Sequence, residues 1–134
     1  MRMRGKLPIF SYRDTFSLDS TLAPIIAAGL RKFKDTISST EWGGYPNGFD
    51  TEEEWHEVLD KMIWSFENAD FEIGLPPEYW EETKGMSLVD TLNRGKTPNQ
   101  KAIWDEYMKN CEAHQERLVE GFDLFAKHFQ SLWW

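Results

Sequence analysis

A chain of 134 residues with 40% hydrophobic, 28% charged and 15% aromatic side chains has the composition of one compact domain and leaves little room for two. With 23 acidic against 15 basic residues the formal charge is −8, which opposes bulk attraction to nucleic acid or to an anionic membrane, so any anion site has to be local. No apolar run approaches the roughly 20 residues of a membrane span. The basic start MRMRGK leads into Pro8, Ser11 and Arg13 rather than a hydrophobic signal region, and Cys111 is the only cysteine. An internal disulfide is therefore excluded, any zinc site would need histidines and carboxylates, and a cytosolic protein without a membrane partner is expected.

Residues 1–6 predict a flexible basic tip, and Phe10, Tyr12 and Phe16 an extended arm behind it. A first helix is expected at about 20–37, where Leu22, Ile25, Ile26, Leu30 and Phe33 keep the three-and-four spacing of one face, with Pro24 tolerated in a first turn whose amides have no partner to lose. The run WGGYPNG ends it with turn-forming residues. A second helix is expected at 51–68: Asp50 is placed to cap it with Glu53 reaching back, and Trp55, Val58, Leu59, Met62, Ile63 and Phe66 make one stripe. Residues 69–96 read as an irregular connection in which PPEYWEETKG and MSLVDTLNRGK can each form a short helix. A third helix is expected at 98–132, started by Thr97, Pro98 and Gln100 and carrying Ile103, Tyr107, Cys111, His114, Leu118, Phe122, Phe125, Phe129 and Leu132 on one face. The fold class is thus all-α, a small bundle of three main helices in a single domain spanning residues 1–134.

At 1.5 Å per residue the third helix runs about 50 Å against roughly 30 Å for each of the others, too long for them to cover. Either Gly121 permits a bend, or Phe122, Phe125, Phe129 and Leu132 meet a second subunit. A homo-oligomer formed through the last helix is the expectation.

Candidate chemistry is sparse. Glu53-Glu54-x-x-Glu57 and Glu67-x-x-Asp70 resemble the EExxE and ExxD magnesium motifs of MazG-like, all-α NTP pyrophosphohydrolases, but only nine residues separate Glu57 from Glu67 on one apparently continuous helix. Two such sets on one rod cannot face each other across a metal, and a solvated acidic first turn complementing the helix dipole is the simpler reading. His56, His114 and His128 show no ligand spacing. Cys111 and His114 are neighbours at i and i+3, the spacing of a thiol–imidazole pair, yet both fall on the apolar stripe, where packing is the usual role. No catalytic residue, metal ligand or cofactor is assigned.

The anion site the sequence favours is the segment before the third helix. Arg94, Lys96, Thr97 and Lys101 converge on free helix amides, no acidic residue occurs between Asp90 and Asp105, and Trp104 is near enough to stack on a ligand. Gly95-Lys96-Thr97 is not a Walker motif, since Asp90 stands where its first glycine belongs. WGGYPNG is disfavoured because Asp50, Glu52, Glu53 and Glu54 follow it. Among the aromatics, Trp42, Tyr45 and Trp80 fall in predicted loops or short helices, where exposure would mark a partner surface or ligand cleft.

Four stretches, FSLDSTLAPIIAAGLRKFK at 16–34, Gly44-Tyr45-Pro46, EEWHEVLDKMIWSFE at 53–67 and EGFDLFAKHFQSLWW at 120–134, resemble a family of small tailed-bacteriophage proteins of unassigned role. The resemblance implies a location in the cytoplasm of an infected bacterium and carries over no functional residue. In that context an acidic, aromatic-rich helical module with no plausible catalytic set is expected to be a non-enzymatic accessory protein that binds a host component. Sequestration of a small phosphorylated nucleotide signal in counter-defence is the first expectation, and inhibition of a host protein or a MazG-like hydrolysis the alternatives.

Overall fold

The structure is a computed structural model that describes residues 1–41 and 43–133. Trp42, one of the aromatics placed in predicted loops or short helices, lies outside them. The described residues are mostly helical, in the order β1 (Arg2–Arg4), β2 (Leu7–Ile9), α1 (Tyr12–Phe16), α2 (Leu18–Ser39), α3 (Glu52–Glu67), α4 (Pro77–Glu81), α5 (Leu88–Arg94) and α6 (Pro98–His128), closed by a 3-10 turn at Phe129–Ser131. The three long helices stand where the periodicity places them. Three short ones, α1, α4 and α5, join these main helices, making six among the described residues. The chain divides into two compact units, residues 1–70 with 117–134 and residues 71–116.

In the first unit, β1 and β2 pair antiparallel, Arg2 opposite Ile9 and Arg4 opposite Leu7, about a tight turn in which Gly5 takes φ 63°. Every strand residue is exposed. The segment read as an extended arm instead coils into α1, because Ser11 and Asp14 form a reciprocal cap: the Asp14 amide donates to Ser11 Oγ at 3.3 Å and the Ser11 amide to Asp14 Oδ2 at 2.7 Å. These bonds, with the amino terminus 3.0 Å away, hold the Asp14 pKa at about 2.

Helix α2 begins two residues earlier than expected, which moves Pro24 out of the first turn. Its missing N–H therefore removes an interior bond to the Ser20 carbonyl, and the helix is held by packing. Leu30 and Ile37 of α2 meet Trp55, Leu59, Met62 and Ile63 of α3 in one buried cluster. Arg31 pairs with Glu67 and Lys34 with Asp60 between the same two helices. The α3 cap is Thr51 rather than Asp50: the Glu54 amide donates to Thr51 Oγ1 at 3.2 Å, while the Asp50 amide donates back to the Glu54 carboxylate at 3.0 Å.

Helix α6 continues as helix through Gly121, the position at which the sequence allows a bend. A Cβ at Gly121 would stand 1.9 Å from Ser65 Oγ and 2.5 Å from the Lys61 carbonyl oxygen, so the glycine lets the backbones of α3 and α6 approach. Phe122 and Phe125 close on Phe66 at 5.1 and 4.9 Å between ring centroids, and Leu132 packs against the buried cluster. Three of the four side chains expected to meet a second subunit are thus packed within this chain.

In the second unit, the segment read as an irregular connection supplies α4, opened by Pro76 and Pro77, and α5, capped by Ser87 Oγ accepting from the Asp90 amide at 3.1 Å. Gly95 ends α5 at φ 70°, a conformation that favours glycine. The start of α6 carries the expected cap, the Gln100 amide donating to Thr97 Oγ1 at 3.1 Å and the Thr97 amide to Gln100 Oε1 at 3.2 Å. Gln100 is buried, and its amide group also donates to the Tyr79 carbonyl at 2.9 Å, which ties α4 to α6.

Candidate functional site

Two of the side chains the sequence selected, Arg94 and Thr97, come together around Glu82, a residue the sequence did not select. Thr97 Oγ1 donates to Glu82 Oε2, and Asn99 Nδ2 donates to Glu82 Oε1 at 3.1 Å. Arg94 donates to the Glu82 carbonyl and to Gln100 Oε1, both at 2.9 Å, and its charge also acts on the Glu82 carboxylate. The Thr97 bond first and the Asn99 bond second lower the Glu82 pKa, so the group is a settled carboxylate at neutral pH. The Glu82 carboxylate, from the residue after α4, thus stands at the start of α6, where helix geometry favours a negative charge.

The remaining candidates are placed differently. Lys96 Nζ stands 3.9 Å above the centre of the Trp104 ring, a cation–π contact that uses both residues on each other. Lys101 is exposed. Arg94, Thr97, Asn99 and Gln100 thus form one hydrogen-bonded cluster around Glu82, while Lys96 and Trp104 form a separate pair. Glu82 was not visible in the sequence pattern, because a carboxylate fifteen positions before its partner belongs to no local capping motif.

The acidic residues of α3 lie along a single helix, as the spacing required. Glu54 is bonded to the Asp50 amide, Glu52 stands 3.4 Å from His56 Nε2, and Glu67 is paired with Arg31, which lowers its pKa. Asp70 accepts from Ser20 Oγ at 2.7 Å. Among the described residues no group of three or more histidine, cysteine or carboxylate side chains is placed to hold a metal ion, and no helix is long and apolar enough to cross a membrane.

Cys111 is half-buried and shares a hydrogen bond with Tyr107, which raises the tyrosine pKa. The His114 ring lies 5.6 Å from that of Phe71. His128 sits between Phe49 at 5.3 Å and Trp55 at 5.5 Å, and burial first, Lys127 second, lowers its pKa. Its role as the polar member of an aromatic cluster was not visible in its spacing.

Two surfaces of the second unit are apolar. Leu88, Val89 and Leu92 form a ridge on α5, exposed to 75, 63 and 72%. A separate cleft of about 500 Å³ follows α6, lined by Ile73, Pro76, Ala102, Ile103 and Tyr107, with Glu106 and Asn110 as its polar members. No family model matches the chain, and neither a curated protein nor a solved structure does.

Proposed function

We propose that this protein acts by binding rather than by catalysis, and that its target is another protein. The observation that carries the reading is the α5 ridge. Three aliphatic side chains stand in water on a helix whose two ends are fixed by the Ser87 cap and by Gly95, with Arg94 anchored to the Glu82 carbonyl. Covering each such side chain is worth about 1.5–3 kcal/mol, and a ridge ordered in advance loses little entropy on docking. Residues 71–116 carry nine carboxylates against five cations, so the complementary partner has an apolar groove with a basic rim. The resemblance to phage proteins makes that partner a host protein in the infected cytoplasm, inhibited by occupation.

Leu88→Asp combined with Leu92→Asp tests this, since both side chains are exposed and the fold should survive. Host proteins retained by the wild type and lost by the variant would be purified and titrated by calorimetry, with a loss of roughly tenfold or more expected. Equal affinity of both forms for every retained protein refutes the reading.

A second reading, sequestration of a small phosphorylated nucleotide by Arg94, Lys96, Thr97, Lys101 and Trp104, is favoured by the convergence of cations and hydroxyl at the start of α6. It requires the ligand to displace the Glu82 carboxylate, which places it second. Self-association through the last helix is left with Phe129, the exposed member of the expected face.

A further inference from the structure

The first unit contains a cleft that neither reading uses. The α2–α3 loop contributes Gly44, Tyr45, Pro46 and Asn47, the segment after α6 contributes Ser131 and Trp133, and Trp55 of α3 completes it, around a volume of about 430 Å³. This lies in the range of small-molecule sites. Trp55 is buried and braced by Phe49 at 5.2 Å and His128 at 5.5 Å. The Tyr45 hydroxyl donates to the Asp50 carbonyl at 3.3 Å, which fixes the direction of its ring. Yet Tyr45 is 46% and Trp133 76% exposed, two large aromatic surfaces left in water beside a cavity.

The chemistry of the lining selects the ligand. Among the described lining residues none is charged. A phosphate or carboxylate would find no cation there, in a chain of net charge −8, and an ammonium group would find no carboxylate in the lining. What the cleft offers is flat aromatic surface together with neutral hydrogen-bonding groups, the Asn47 carboxamide and the Ser131 hydroxyl. That combination suits an uncharged ring with an apolar face and a hydrogen-bonding rim, the chemistry shared by a pyranose unit and a nucleoside. We infer that this cleft binds such a ring, with Trp133 and Tyr45 stacking on its face and Asn47 and Ser131 bonding its edge.

The test is calorimetric and fluorescence titration of the full chain with maltotriose, chitotriose, adenosine, AMP and decaproline. One neutral class, sugar or nucleoside, is expected to saturate and to change tryptophan emission. Trp133→Ala should weaken that binding roughly tenfold or more, as expected for loss of one stacking surface, with an unchanged circular dichroism spectrum. Asn47→Ala, which leaves every ring in place, should weaken it severalfold. AMP should bind no more tightly than adenosine, because no cation is among the described residues that line the cleft. The inference is overturned if neither sugars nor adenosine bind at about 10 mM, or if Trp133→Ala binds as the wild type does. It is equally overturned if AMP exceeds adenosine tenfold or if decaproline alone binds. None of these residues belongs to α5 or to the segment 94–101, so the outcome is independent of the protein-docking reading.

Discussion

Gly121→Ala is the substitution for which helix propensity and packing make opposite predictions. Within an exposed helix the change stabilises by up to about 1 kcal/mol, since alanine is the better helix former. At Gly121 the new Cβ would lie 1.9 Å from Ser65 Oγ, 2.6 Å from Ser65 Cβ and 2.5 Å from the Lys61 carbonyl oxygen. The hydroxyl can rotate, giving up its 3.2 Å bond to the Arg117 carbonyl, but the Lys61 oxygen is backbone and moves only with α3. Separating α3 from α6 also loosens Phe66 against Phe122 and Phe125. Overpacking costs about 1–3 kcal/mol and the lost hydrogen bond about 1 kcal/mol, so after the propensity gain a net loss of about 2 kcal/mol is expected. Urea unfolding followed by circular dichroism measures it, with Gly29→Ala as the control, because a Cβ at Gly29 in α2 meets nothing within 4 Å. Gly29→Ala should be neutral or stabilising. Adding Ser65→Ala to Gly121→Ala should not restore stability, since the contacts with Ser65 Cβ and the Lys61 carbonyl remain. A Gly121→Ala protein as stable as the Gly29→Ala protein would refute the close helix contact.

Two further expectations concern titration and the start of α6. Because the His128 pKa is lowered in the folded chain, the unfolded state binds more protons between the folded value and the ordinary value near 6.5. The contribution of His128 to stability is therefore complete above that window and is lost as pH falls through it. The urea midpoint should drop between pH 7.5 and 5.5, and His128→Asn should flatten the slope; an unchanged slope would show that the ring does not titrate differently on folding. Glu82→Gln removes the carboxylate that occupies Thr97 and Asn99, and inorganic pyrophosphate should then bind at least tenfold more tightly than to the wild type by calorimetry. Equal affinity would show that Glu82 does not compete for an anion.

The long helices follow from local periodicity alone. Leu30 and Ile37, or Trp55, Leu59, Met62 and Ile63, share a face because 3.6 residues make a turn whatever lies opposite. The cap at Thr97 and Gln100 was equally legible, its partners being three residues apart. Local signals failed where two residues could do the same work, as with Asp50 and Thr51 before α3. They are weak where the helix is short, as with the Ser11 cap and Asp14 in the first turn of α1. What the glycines and charges do depends on partners that folding brings from elsewhere in the chain. Gly121 reads as a hinge in isolation and becomes a contact point once Ser65 and Lys61 stand across from it. The segment 94–101 reads as an anion site from its own residues, and folding alone brings Glu82 within hydrogen-bonding reach of Thr97 and Asn99. The aromatic cleft joins residues 44–47 to residues 131–133, more than eighty positions apart. Periodicity and capping are set by neighbours along the chain, whereas close approach, charge neutralisation and cavity lining depend on which side chains folding brings together from far apart.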